Sequence, residues 1–179
     1  MVDSLQKSKP RRIVITGPES SGKTTLVKAL SNELKLSWVP EAARSYLEQT
    51  SGKYDYSDLE KIAKLQNEQI YTALQKNTIP VLCDTDLLTI KIWSEFKYGK
   101  TSQYVVDEIK KASSVLYVLC YPDMPWQADP LRENPYDRTE LYEIYKAELK
   151  QYQFPFIEVR GKTDERIKSI IHFLNQKFL

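Results

Sequence analysis

The stretch Ile13-Val14-Ile15-Thr16-Gly17-Pro18-Glu19-Ser20-Ser21-Gly22-Lys23-Thr24-Thr25-Leu26 decides the fold. Ile13–Thr16 is a short apolar, β-branched run that reads as a buried strand. Gly17–Thr24 then matches G-x-x-x-x-G-K-[ST] in full. Behind it, Lys23–Leu34 carries Leu26, Val27, Leu30 and Leu34 at helical spacing. A strand, a glycine-bearing loop and a helix form the setting in which this motif binds phosphate. Gly17 and Gly22 let the backbone approach the anion, and N–H groups of the loop and helix N-terminus point at a β-phosphate. Lys23 is then placed to bridge β- and γ-phosphates, and Thr24 offers its hydroxyl to Mg²⁺. The pattern implies that ATP with Mg²⁺ is bound across Gly17, Glu19, Ser20, Ser21, Gly22, Lys23, Thr24 and Thr25, and leaves the acceptor open.

Outward from this core, strands and helices alternate. Leu36–Val39 reads as a second strand stopped by Pro40, and Glu41–Glu48 as a short helix. Ser57 opens a long helix with Glu60 as its capping-box partner and Leu59, Ile62, Ala63, Ile70 and Leu74 as its apolar stripe. Ile79–Cys83 is a strand ended by Asp84. Leu87–Phe96 is helical up to Gly99, and Thr101 can cap Tyr104–Ala112. Val115–Cys120 is the strongest strand signal. Tyr121–Asp137 holds Pro122, Pro125, Pro130 and Pro135, which breaks any continuous element. Thr139–Lys150 is a helix and Phe156–Val159 the last strand. Thr163–Phe178 is a final helix with Ile167, Ile170, Ile171, Leu174 and Phe178 inward.

Strands this apolar belong to a parallel sheet covered on both faces. The expected class is α/β: a three-layer α/β/α sandwich of the P-loop NTPase type, with about five parallel strands in the order 2-3-1-4-5. A lid spans about 121–138. Residues 1–11 are expected as a flexible tail and 12–179 as one domain.

Composition narrows the remaining classes. The chain has 179 residues, 41% hydrophobic and 28% charged, which suits one ordinary globular domain. Lys+Arg 26 against Asp+Glu 24 leaves +2, too near balance to point to nucleic acid. A single His, His172 in the last helix, excludes a His-rich metal site. In the expected strand order Cys83 and Cys120 flank the first strand, ~10 Å apart and beyond disulfide reach. No apolar run suggests a membrane span and Met1–Arg12 is polar and basic, so the expectation is a reduced, cytoplasmic protein without a signal peptide. Nothing in the pattern specifies an oligomeric state.

Three carboxylate-bearing regions follow strand ends, where α/β proteins place ligands. Glu41 and Arg44 share one helix face, as a surface ion pair or as acceptor-side groups. Asp84 ends an apolar strand in the manner of a residue that orients Mg²⁺, while Asp86 fits either the acceptor site or the N-cap of the next helix. Arg132 and Arg138, in or after the proline-rich segment, fit a lid that closes over phosphates, or an ordinary solvated loop.

The chain resembles the ribosylnicotinamide kinase domain of the NadR-like P-loop proteins. The resemblance rests on Gly17–Leu26, Glu41-Ala42-Ala43-Arg44-Ser45-Tyr46-Leu47, Asp84-Thr85-Asp86, and Pro122-Asp123-Met124-Pro125-Trp126 with Asp129 and Arg132. It implies phosphorylation by ATP of the ribose 5′-hydroxyl of nicotinamide riboside, a step of NAD salvage. The small-molecule nucleoside would lie between Glu41, Arg44, Asp84, Asp86 and the lid residues Trp126 and Asp129, with adenine near Val159–Thr163. One of Trp38, Trp93 and Trp126 would stack on a cationic pyridinium ring. Lys23, Glu41, Asp84, Arg132 and Arg138 would be the catalytic set, with Glu41 or Asp84 as the base.

The family's Glu-Tyr-x-Arg helix start reads Glu41-Ala42-Ala43-Arg44 here, and with about a dozen residues before the first strand the extra domains of longer members are not expected. Val39-Pro40-Glu41 also resembles the deoxyribonucleoside kinases, whose Glu at that place is the base. The alternatives are another nucleoside kinase, or an ATP-binding regulator of NAD metabolism without turnover.

Overall fold

Five parallel strands in the order β2-β3-β1-β4-β5 carry the cleft at their C-terminal ends. The computed structural model describes residues 9–77, 79–129, 131, 134 and 136–178. Along the chain the elements are β1 (Arg12–Thr16), α1 (Lys23–Leu34), β2 (Trp38–Val39), α2 (Ala42–Gln49), α3 (Tyr56–Lys76) and β3 (Val81–Asp84). They continue as α4 (Leu87–Tyr98), α5 (Gln103–Lys111), β4 (Val115–Cys120), α6 (Arg138–Gln151), β5 (Phe156–Val159) and α7 (Thr163–Phe178). The order and class match the sequence expectation. Residues 1–8 of the expected tail lie outside the described residues.

Each central strand is buried on both sides, so alternate residues feed two cores. Ile13, Ile15, Leu116, Val118 and Cys120 face α1 and α7, meeting Leu26, Val27, Leu30 and Ile170. Val14, Cys83, Tyr117 and Leu119 face the other side, against Ile62 and Ile70 of α3, Leu88 and Ile92 of α4, and Tyr142 and Tyr145 of α6. Cys83 and Cys120 are free and buried, and burial pushes their thiols up to about 12 and about 11. Among the described residues no helix is long and apolar enough to cross a membrane.

Several boundaries differ from the reading of the sequence. The long helix starts one residue earlier, capped by Asp55 rather than Ser57. Asp55 Oδ1 accepts the Ser57 N–H at 2.7 Å, and Asp58 Oδ2 accepts the Asp55 N–H at 3.0 Å, so the capping box uses two aspartates and not Glu60. Ser102, not Thr101, caps α5. The edge strand β2 shrinks to two residues. Strand β3 begins at Val81 and includes Asp84, while Ile79 is 49% exposed. On α7, Phe173 rather than Ile171 packs into the core, alongside a fully buried Arg166.

Ile62 of α3 has no exposed surface at the centre of the larger core. Ile62→Ala should cost about 2–5 kcal/mol, read as a lowered urea midpoint with an unchanged m-value.

Candidate phosphoryl-transfer site

The phosphate loop is shaped by what surrounds it. Gly17 has φ +135°, and a Cβ there would stand 2.7 Å from the Cys120 carbonyl oxygen. Gly22 has φ +80°, and a Cβ there would meet Met124 Sδ at 2.6 Å. The motif's two glycines therefore answer to the end of β4 and to the lid. Gly22 gives α1 no side-chain cap and no acidic residue stands in its first turn, which leaves its first N–H groups available to an anion. Lys23 Nζ donates to the loop's own carbonyls, Gly17 O at 2.9 Å and Pro18 O at 2.7 Å.

Register brings the carboxylates beside this loop. Ile15 of β1 is paired with Asp84 of β3, and Val39 of β2 with Cys83, so Glu41 and Asp84 emerge at the same sheet edge as Gly17. Thr24 Oγ1 donates to Asp84 Oδ2 at 2.6 Å. Asp84 Oδ1 is buried with no hydrogen-bond partner among the described residues. That orphaned oxygen beside a hydroxyl fits Mg²⁺. Among the described residues no group of three or more metal-binding side chains is brought together.

Glu41 caps the start of α2 by its backbone, and Gln66 of α3 fixes that turn. The Gln66 amide accepts the Ala42 N–H at 2.7 Å and donates to the Pro40 carbonyl at 3.2 Å. Burial raises the Glu41 pKa, nearby Asp84 adds to the rise, and Lys23 and Arg44 oppose it. Burial likewise raises Asp84, against the Thr24 hydrogen bond and Lys23.

The cleft encloses about 340 Å³, bounded by the loop 17–25, Glu41 and Arg44 on one side and by Thr89, Trp93, Phe96 and Tyr145 on the other. Of the three tryptophans proposed for stacking, Trp93 lines it. Trp38 lies on the opposite face of the sheet below Lys28, and Trp126 sits under the Arg138 guanidinium, 5.9 Å from its ring centre. Asp86 is not brought to the cleft. It is 2% exposed, caps α4 through Leu88 N at 3.0 Å, and accepts the Tyr117 hydroxyl at 2.7 Å.

The described residues of the segment expected as a lid rest on the phosphate loop. Ser20 Oγ and Gln127 exchange hydrogen bonds at 3.3 and 3.4 Å, and the Asn134 N–H donates to Glu19 Oε2 at 2.9 Å. Arg138, the first residue of α6, donates to the carbonyls of Met124 at 2.8 Å and Ser20 at 3.4 Å, which ties the lid down. Asp129 pairs with Arg44 at 2.8 Å across the acceptor side. Arg132 lies outside the described residues.

The reading of the sequence missed Arg166. Its fully buried guanidinium donates to Ser21 O at 2.6 Å, Gly161 O at 2.9 Å, Tyr121 O at 3.1 Å and Asp123 Oδ1 at 2.5 Å. Asp123 also accepts the Gly161 N–H at 2.6 Å. The 159–163 loop, expected to face adenine, is thus clamped to the phosphate loop, although it lies outside the cleft lining. The available signal was an arginine four residues before Ile170 on the inward stripe of α7.

A five-stranded parallel sheet with this loop after its central strand defines a P-loop nucleotide-binding domain. Residues 12–166 match the family described as an AAA domain, and the chain belongs to that family. It is 30% identical over 173 residues to the trifunctional NAD biosynthesis/regulator protein NadR of Escherichia coli, covering 93% of this chain and 42% of that relative. Crystal structures of NadR, one in complex with NAD and AMP-PNP and one with NR, superpose with TM-scores of 0.72 and 0.67 at 16% and 14% identity. They cover 96% and 97% of this chain and 50% and 53% of theirs. Deoxyadenosine kinase from M. mycoides superposes with a TM-score of 0.60 at 16% identity, over 92% of this chain and 99% of that one. The NadR-like character read from the motifs is met by these likenesses.

A raised carboxyl pKa means that folding favours the neutral form, so Glu41 withdraws stability as pH rises through its folded value. Glu41→Gln should therefore melt higher than wild type at pH 7. The difference should shrink to nothing below about pH 4, where the unfolded carboxyl is also neutral. Melting temperatures from pH 3 to 8 check this.

Proposed function

We propose that this chain transfers the γ-phosphoryl group of ATP to the 5′-hydroxyl of nicotinamide riboside, giving nicotinamide mononucleotide in NAD salvage. The observation that carries the transfer is Glu41, a carboxyl with a raised pKa lining the same cleft as the phosphate-loop Lys23. A general base needs both that reach and a pKa drawn toward working pH. The acceptor oxygen bonds to the γ-phosphorus as the bond from phosphorus to the β–γ bridging oxygen breaks. The hydroxyl proton passes to Glu41, and ADP leaves with the bonding electrons. Lys23 exchanges its contacts with Gly17 and Pro18 for the phosphates. Thr24 and Asp84 would hold Mg²⁺, which supplies charge neutralisation on the β- and γ-phosphates. Arg138 and the Arg44–Asp129 pair hold the lid over the reaction and exclude water.

The NadR likeness supports nicotinamide riboside as the acceptor, together with a cleft wall that includes the aromatic rings of Trp93 and Phe96, a residue type that suits a cationic ring. The Val39-Pro40-Glu41 turn and the fold shared with deoxyadenosine kinase favour a second reading, a deoxyribonucleoside kinase. With equal nicotinamide riboside, thymidine, deoxycytidine and adenosine, ATP and Mg²⁺, nicotinamide mononucleotide should dominate the products. Preference for a deoxynucleoside selects the second reading, and equal turnover by Lys23→Ala would rule out both.

Glu41→Gln should lower kcat by about 10²-fold or more while leaving the Mg²⁺ optimum in place. Asp84→Asn should shift that optimum. The reverse pattern, read from kcat against Mg²⁺ concentration, makes Asp84 the base.

A further inference from the structure

Behind Asp84 lies a buried polar group that the chemistry above leaves unused. Thr85 has φ +68°, the left-handed region, which a β-branched side chain disfavours most. It is 2% exposed, and its N–H is spent on the Ile15 carbonyl at 3.0 Å. A β-branched residue keeps such a backbone only where its surroundings over-determine it. The flanking residues do so here. On one side Asp84 is held by Thr24. On the other, both oxygens of Asp86 are engaged: Oδ1 by the Leu88 N–H, and Oδ2 by the Tyr117 hydroxyl at 2.7 Å with Arg12 Nη2 at 3.8 Å.

A plain helix cap needs one carboxylate oxygen and no charge partner under the sheet. Ser102 caps α5 with its hydroxyl, partly exposed and with Glu60 rather than a cation beside it. Asp86 is instead a buried carboxylate with two further partners from β1 and β4, an arrangement that is costly to desolvate. These contacts hold the chain one residue beyond the left-handed turn at Thr85. One residue before that turn, the Asp84 carboxylate stands with one oxygen on Thr24 and the other buried and unpaired.

We propose that Asp86, with Tyr117 and Arg12, is a positioning anchor that holds Thr85 in its left-handed turn and thereby aims Asp84 at the nucleotide's divalent cation. The proposal rests on the assignment of Asp84 to Mg²⁺ made above. Asp86 then acts through Asp84 and makes no contact with a substrate.

Two variants test it. Tyr117→Phe removes one hydroxyl from Asp86 and keeps the ring, which packs 5.2 Å from Phe154. Thr85→Gly accepts the left-handed turn at no steric cost and releases the constraint. Mn²⁺ binding to the protein·AMP-PNP complex is followed by electron paramagnetic resonance, alongside melting temperature and the Mg²⁺ dependence of turnover. Both variants should weaken Mn²⁺ binding about tenfold or more, in the range of lost groups that orient a metal ligand, and should raise the Mg²⁺ needed for half-maximal kcat by a similar factor. Thr85→Gly should do so without a lower melting temperature. Folded variants with wild-type Mn²⁺ affinity, even if they melt lower, overturn the anchor and leave Asp86 a residue of the fold. If wild-type protein·AMP-PNP binds no Mn²⁺, the metal assignment fails and the anchor falls with it, which a variant-only loss cannot mimic.

Discussion

The pairing of β1 with β3 in one register is the constraint on which the cleft depends. With Ile15 beside Asp84, the strand that feeds the phosphate loop and the strand that carries the carboxylate bonded to Thr24 end within one residue of each other. A slip of one residue would turn Asp84 to the opposite face of the sheet. Burial on both faces forbids that slip, because Val14 and Cys83 fill one core while Ile13, Ile15 and Leu82 fill the other. The Thr24–Asp84 hydrogen bond follows from this register.

The buried carboxyls in and beneath the cleft oppose the stability of the fold. Glu41, Asp84 and Asp86 are carboxyls whose burial disfavours their charged forms. Lys23 and Arg44 offset the first two, and Arg12 the third, from positions fixed by separate elements. The carboxyls are tolerated because cations stand beside them, and a raised carboxyl pKa in the cleft is what the proposed general base requires.

Much of the architecture was legible because period and punctuation agreed. Continuous apolar runs marked the buried strands, Gly99 closed α4 in the left-handed conformation, and four prolines kept 121–137 free of regular structure among its described residues. What escaped was long-range. Whether Asp55 or Ser57 caps α3 depends on which side chain reaches the free N–H groups, and both are good caps. The motif spacing led to Glu41, Asp84 and the phosphate loop. It gave no sign that Gln66, 25 residues from Glu41 in sequence, fixes the turn around it, or that Trp93 and Tyr145 both line the cleft. Asp86 was read both ways, and its surroundings under the sheet decided for the cap.

Arg166 reaches acceptors in three separate stretches of chain with one planar group. Those stretches are therefore already ordered before a nucleotide arrives, and binding has little of their conformational entropy to lose. The segment that follows β4 is held to the phosphate loop as well, by hydrogen bonds between Glu19 and Asn134 and between Ser20 and Gln127. A nucleotide would then bind with a heat-capacity change close to that of the surface it covers, without the added signature of coupled folding.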